Sequence, residues 1–249
     1  MARSLLTLCR LLLSVATLLP LAAKADFCPA TPSSANWGLS YQIDNHNQRT
    51  GTLEILRHGS DTALYNPARQ IGEWWQLADA KRPRFQRMFG EQQRRIEYTT
   101  GDLRVLGVNG NIDIIESFAV APLLSRLKAG QPLASCPVVR HYSGEINGNH
   151  YEVHWHPELK LPLQLAVNNA KQQRRWQASA LIDEPAVAER FSQWLAYRPT
   201  DFADIGDMET DPFLAKLITQ GFVEHAHPSA YNSDGTVIGN ADSHAGHAH

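Results

Sequence analysis

Local signatures of catalysis are missing from this 249-residue chain, which contains no H-E-x-x-H, G-x-S-x-G, phosphate-binding glycine loop, dinucleotide fingerprint or C-x-x-C-H. Their absence removes the zinc-protease, α/β-hydrolase, P-loop, Rossmann and c-type haem classes. What stays open is an unrecognised hydrolase whose groups are assembled only by folding. His58-Gly59-Ser60-Asp61 carries triad residue types, but residues contiguous in a tight turn do not by themselves give nucleophile, base and orienter geometry. Cysteine is scarce too. Of the three, Cys9 lies in the amino-terminal segment that reads as a cleaved signal, leaving Cys28 and Cys136 with no C-x-x-C motif and no basic neighbour beside either sulfur. In an oxidising compartment the pair most simply forms one disulfide, worth on the order of 4 kcal/mol for a loop of about a hundred residues. Two thiols serving copper or redox chemistry are the other reading. Nor is there an excess of positive charge: the formal balance is −2, which gives no general reason to expect nucleic-acid binding.

What is present begins with an export signal. Arg3 and Arg10 flank a short apolar run, Leu11 to Leu21, and Ala23-Lys24-Ala25 supplies small residues around one variable position. The run is short for a membrane span and polar sequence follows. Residues 1–25 therefore read as a cleaved signal peptide, with the mature chain starting near Asp26 in the periplasm at a charge of −5. No cysteine stands at the cleavage point for lipid attachment.

From Trp37 the chain alternates apolar and polar residues in short runs: 37–43, 51–57, 62–65, 72–77, 84–89 and 94–99. Asn45-His46-Asn47, His58-Gly59-Ser60-Asp61 and Thr100-Gly101-Asp102 supply the turn chemistry between them. The pattern predicts an antiparallel meander. Residues 112–129 then show a helical period through Ile115, Phe118, Ala119, Pro122, Leu123, Leu124 and Leu127, ended by Gly130. Strands resume at 138–145, 150–156, 161–167 and 174–181, and helices are expected over 185–197 and 212–220. The fold class is mainly β with added helices: a β-rich domain over 26–183 with a helical insertion at 112–129, a helical carboxy-terminal segment over 184–222, and a tail over 223–249 whose composition cannot bury enough apolar surface to order itself.

Six meander strands, a helical insertion and four further strands over residues 37–182 resemble, in element order, the curved half-barrel of periplasmic lipoprotein carriers of the LolA and LolB type and of RseB. That resemblance implies an antiparallel sheet plugged by helices, with an apolar concavity for acyl chains or lipopeptides. Trp74, Trp75, Phe85, Phe89 and Tyr98, together with nearby aliphatic residues, would line such a surface; a closed core is the alternative for the same residues.

Histidine is the other candidate chemistry. Asn147-Gly148 between two alternating runs is a strong hairpin signal with a two-residue turn. The register it sets places His141 opposite His154, Ser143 opposite Glu152 and Glu145 opposite His150. One face is then apolar, through Tyr142, Ile146, Tyr151, Val153 and Trp155, and the other carries the histidines. His141 and His154 are close enough on that face to share zinc, copper or nickel, with Glu152 or His156 completing the site. A solvated, histidine-rich face is the plainer alternative. His-x-His also recurs at His154/His156, His225/His227 and His247/His249, where chance placement gives roughly 0.5 such pairs. With His244 these tail residues form either a flexible chelator or a functionless end. The acidic run Asp201 to Asp211 lacks the ligand order of a calcium loop. The residues thus point to an exported, non-enzymatic binding protein handling a transition metal through tail and hairpin, or alternatively to a carrier or sensor of lipid or lipoprotein.

Overall fold

The computed structural model describes residues 27–46, 48–79, 81–108, 111–208 and 210–219. The signal-like segment and the tail histidines His225, His227, His244, His247 and His249 lie outside the described residues. The first six strands are β1 (Asn36–Asn45), β2 (Gln48–His58), β3 (Asp61–Asn66), β4 (Ile71–Gln76), β5 (Arg84–Phe89) and β6 (Arg94–Tyr98). Three short helices follow: α1 (Thr100–Val105), α2 (Ile112–Glu116) and α3 (Ala121–Leu124). Then come β7 (Lys128–Leu133), β8 (Cys136–Ile146), β9 (Asn149–His156), β10 (Leu161–Asn168) and β11 (Gln173–Ile182), and finally α4 (Glu184–Leu195), β12 (Arg198–Asp201), a 3₁₀ turn over Phe202–Asp207 and α5 (Pro212–Thr219).

All twelve strands join one open sheet, in the order β12-β6-β5-β4-β3-β2-β1-β11-β10-β9-β8-β7. Strand β1 lies inside the sheet because it pairs with both β2 and β11, so two antiparallel meanders run outward from it. Only β12 is parallel to its neighbour, β6. Bulges interrupt the β1–β2, β1–β11, β9–β10 and β7–β8 ladders, and each extra residue bends its strand and increases the local twist.

Alternation makes the sheet two-sided. Its inner face carries Leu39, Tyr41, Ile43, Leu53, Ile55, Leu64, Val153, Leu161, Leu165 and Trp176 against the α2–α3 segment, and Trp75, Phe85, Phe89, Ile96 and Tyr98 against α1, α2, the 3₁₀ turn and α5. The outer face of the first meander carries Leu56, Ala63, Tyr65, Trp74 and Met88, covered by Val187, Phe191 and Trp194 of α4. Asp183 caps α4 by accepting a hydrogen bond from the Ala186 amide. Gly72 is required under this helix, since a Cβ there would come within 2.8 Å of the Trp194 ring.

The carboxy-terminal segment is therefore more than helical. Strand β12 extends the sheet, and Arg94 on β6 fixes it by donating to Thr200 Oγ1 and Asp211 Oδ2, both at 2.9 Å. Arg95, its neighbour on the opposite face, donates to the carbonyl oxygens of Trp194 and Leu195 at the end of α4. Residues 112–129, expected as one helix, form two short ones before β7 begins at Lys128. Pro122 explains the break: in a continuous helix its ring would clash with the Phe118 carbonyl, and it has no N–H to donate. The chain instead passes through left-handed backbone at Phe118 (φ 49°) and Ala119 (φ 63°).

Candidate functional site

The α2–α3 segment covers part of the inner apolar face and borders a groove. Asn111 caps α2 by accepting from the Asp113 amide, and the Ser117 hydroxyl bridges the end of α2 to α3, donating to the Asp113 carbonyl and accepting from the Ala121 amide. Beyond the corner, Val120, Ala121, Leu123 and Leu124 pack down onto the sheet. Arg57 holds the corner from below. It donates to the Glu116 carbonyl and to Thr62 Oγ1, each at 2.5 Å, and its guanidinium lies 6.0 Å from the Trp37 ring centroid and 5.9 Å from that of Phe118. Burial lowers the Arg57 pKa to about 10, opposed by Glu116 and Tyr41, so the group remains a cation at neutral pH. Across the groove Lys160 Nζ donates to Glu116 Oε2 at 2.9 Å, tying α2 to the β9–β10 turn.

Between that turn and α2–α3 the groove has a volume of about 500 Å³. Trp155, Ile114, Ala121 and Pro122 provide its apolar lining; Asn111, Asp113, Glu116, Ser117 and Lys160 provide polar groups. This combination, apolar walls with a few polar groups, suits an amphipathic ligand. In the sequence Trp155 belongs to the apolar face of the hairpin, but nothing local shows that Ile114 and Ala121 face it. The groove depends on the broken helix, which periodicity alone reads as continuous.

The five aromatic residues expected on an open concavity are packed inside. Trp75, Phe85, Phe89 and Tyr98 lie on the inner face under helices, whereas Trp74 is on the outer face under α4. None is more than 4 % exposed, so in this state they form core and no open surface. Also buried on the inner face is an ion pair, Arg87 Nη2 to Glu73 Oε1 at 2.9 Å.

The hairpin pairs in the register set by its turn: Ile146 with Asn149, Glu145 with His150, Ser143 with Glu152, His141 with His154. Asn147 (φ 51°) and Gly148 (φ 73°) both adopt the left-handed conformation of a type I′ turn. The His141 and His154 ring centroids are 5.5 Å apart. Glu152 instead faces His150, at 3.7 Å. His156 is 1 % exposed, accepts from the Leu159 amide through Nδ1, and has its pKa lowered chiefly by burial; it serves the β9–β10 turn. Among the described residues no group of three or more His, Cys, Asp or Glu side chains could hold a metal ion.

Two other sequence features resolve into structural roles. Cys28 and Cys136 form a disulfide, S–S 2.04 Å with Cα atoms 5.5 Å apart, pinning the amino-terminal segment to β8. In the turn at 58–61, His58 stacks on Phe191 at 4.6 Å, and Asp61 accepts from the Trp74 indole N–H and the Leu77 amide. That carboxylate is occupied in joining β3 to β4.

No protein family matches the chain, and no curated protein sequence does. Among solved structures, PNGF-II overlaps with a TM-score of 0.42 at 12 % identity, covering 72 % of this chain and 34 % of its own. MucB in complex with MucA(peri) overlaps with a TM-score of 0.30 at 13 % identity, covering 59 % of this chain and 49 % of its own. A second complex, Pseudomonas aeruginosa MucA/MucB, gives 0.30 at 14 % identity. The chain thus spans about a third of the PNGF-II chain and about half of the MucB chain, a slight likeness that assigns no activity.

Proposed function

We propose that this protein is an exported, non-catalytic carrier or sensor that takes the acyl chain of a lipid or lipoprotein beneath the α2–α3 segment. The observation that carries the reading is the cover itself: two consecutive non-glycine residues, Phe118 and Ala119, are held in left-handed backbone between helices of five and four residues. Helices this short are not stable alone, and left-handed L-residues cost about 1–2 kcal/mol each. The cover is therefore a marginally stable layer over an otherwise closed apolar face, and local opening concentrates in such segments. Lifting it bares Leu39, Tyr41, Leu64 and Val153, which pack below it, while the groove beside Trp155 offers an acyl chain its first contact. Its volume falls in the roughly 300–1,000 Å³ range of ligand sites. The Cys28–Cys136 disulfide fits export into an oxidising compartment.

Native mass spectrometry with a lysophospholipid and with an N-acylated lipopeptide tests the reading. One equivalent of at least one probe should bind, and Ala121→Trp, which fills the groove from its wall, should weaken binding at least about tenfold. Failure of both probes to bind, or equal binding by the filled variant, overturns it.

A further inference from the structure

The acyl-chain reading uses the inner face only, and α4 covers only the first meander on the outer face. Across the second meander and on to β1 and β2 the outer face carries one continuous polar row: His141 on β8, His154 on β9, Gln164 on β10, Gln177 on β11, Gln42 on β1 and Thr52 on β2. Most of this row is what a solvated sheet face requires. The histidine end is different, because the ladders on both sides of it are irregular.

On β7, Ala129 pairs with Tyr142 and Pro132 with Arg140, so Gly130 and Gln131 together oppose the single residue His141. Gly130 leaves the imidazole uncovered; a Cβ there would stand 3.1 Å from His141 Nδ1. On β10, Pro162 pairs with Trp155 and Gln164 with His154, leaving Leu163 as the extra residue beside the pair. Bulges re-aim neighbouring side chains. The two imidazoles, both half-buried, meet with ring centroids 5.5 Å apart and planes inclined at 77°.

That separation has a coordination meaning. With metal–nitrogen bonds of about 2.1 Å, an ion on the lone-pair axis of an imidazole lies roughly 3.2 Å from its ring centroid. If each ring turns one nitrogen to a shared ion, two centroids 5.5 Å apart subtend roughly 120° at it, close to a tetrahedral angle. We propose that His141 and His154 form a two-histidine clamp for a tetrahedral divalent transition ion, Zn(II) in the first instance, on the outer face. Two ligands leave two positions for water or for a donor brought by a partner, so the site is open and its ion exchangeable. Both imidazoles bind as neutral donors, and any proton they carry is released to solvent on binding.

Zn(II) alone is the first probe and Co(II) the second, since tetrahedral Co(II) absorbs strongly in the visible. The protein is the full chain with His225, His227, His244, His247 and His249 replaced by alanine, which removes the tail as a competing chelator. Calorimetry should find one equivalent of Zn(II), and Co(II) should give the tetrahedral spectrum. His141→Ala and His154→Ala should each weaken Zn(II) at least about tenfold and abolish that spectrum, with the double variant little worse than either, because two ligands of one ion act together. Gly130→Val should weaken binding with both histidines intact. Circular dichroism establishes that each variant is folded, and His141→Gln with His154→Gln repeats the test with polar side chains should alanine disturb the hairpin. Absence of Zn(II) binding in the parent, or undiminished binding in the folded double variant, overturns the proposal.

Discussion

Replacing Ala119 by glycine should stabilise the protein and at the same time weaken its hold on an acyl chain. Ala119 is exposed and sits at φ 63°, so the change removes almost no packing and acts through the backbone. A left-handed L-residue costs about 1–2 kcal/mol relative to glycine, while glycine adds about 0.5–1 kcal/mol of entropy to the unfolded chain. The difference favours the closed cover by roughly 0.5–1 kcal/mol. If an acyl chain must lift the cover, the same free energy opposes binding, so affinity should fall about two- to fivefold. Guanidinium denaturation measures the first effect through the midpoint at constant slope. Titration with a lysophospholipid, followed by tryptophan emission, measures the second, since Trp155 lines the groove. A variant that is stabilised yet binds as tightly as the parent refutes the coupling. A destabilised variant refutes the backbone argument itself.

Breaking the Cys28–Cys136 bridge with a Cys28→Ser, Cys136→Ser chain should cost about 3–4 kcal/mol in chemical denaturation, given a sequence separation of 108 residues. Glu73→Ala removes the carboxylate paired with Arg87, whose side chain is 2 % exposed, and should cost about 3–5 kcal/mol; a loss below about 1 kcal/mol would mean that Arg87 is accommodated by other contacts. His156 is held neutral by burial, with its pKa below the ordinary value. The unfolded chain therefore takes up the proton first, and this residue's contribution to stability is complete above about pH 6.5 and declines as pH falls below it. His156→Phe should flatten the denaturation midpoint between about pH 7 and pH 5; an unchanged slope would remove His156 as its source.

Strand content and the hairpin register were readable because they depend on local chemistry. The alternation of Leu39, Tyr41 and Ile43 with Ser40, Gln42 and Asp44 specifies a two-faced strand, and Asn147-Gly148 sets which residues of β8 and β9 meet. Strand β7 was not readable: Lys-Ala-Gly-Gln-Pro-Leu has no alternation and is mostly exposed, so its pairing with β8 defines it. Strand β12 has four residues and is held by Arg94 from a distant part of the chain. Helix α1 does leave a signal, the Thr99/Asp102 capping box, within a stretch that also reads as a turn. Composition alone does not tell an aromatic lining from an aromatic core; Trp74 and Trp75 lie on opposite faces, and a helix from elsewhere in the chain covers each. The groove is harder still, because Pro122 and Ser117 break a helix whose apolar period is intact.

Amide hydrogen exchange with and without a saturating lysophospholipid tests the central claim, that the α2–α3 segment is a cover displaced by an acyl chain. Amides of residues 112–127 should exchange faster in the complex, while those of β1 and β11 at the middle of the sheet stay protected. Ligand bound with unchanged or increased protection over 112–127 would contradict the account.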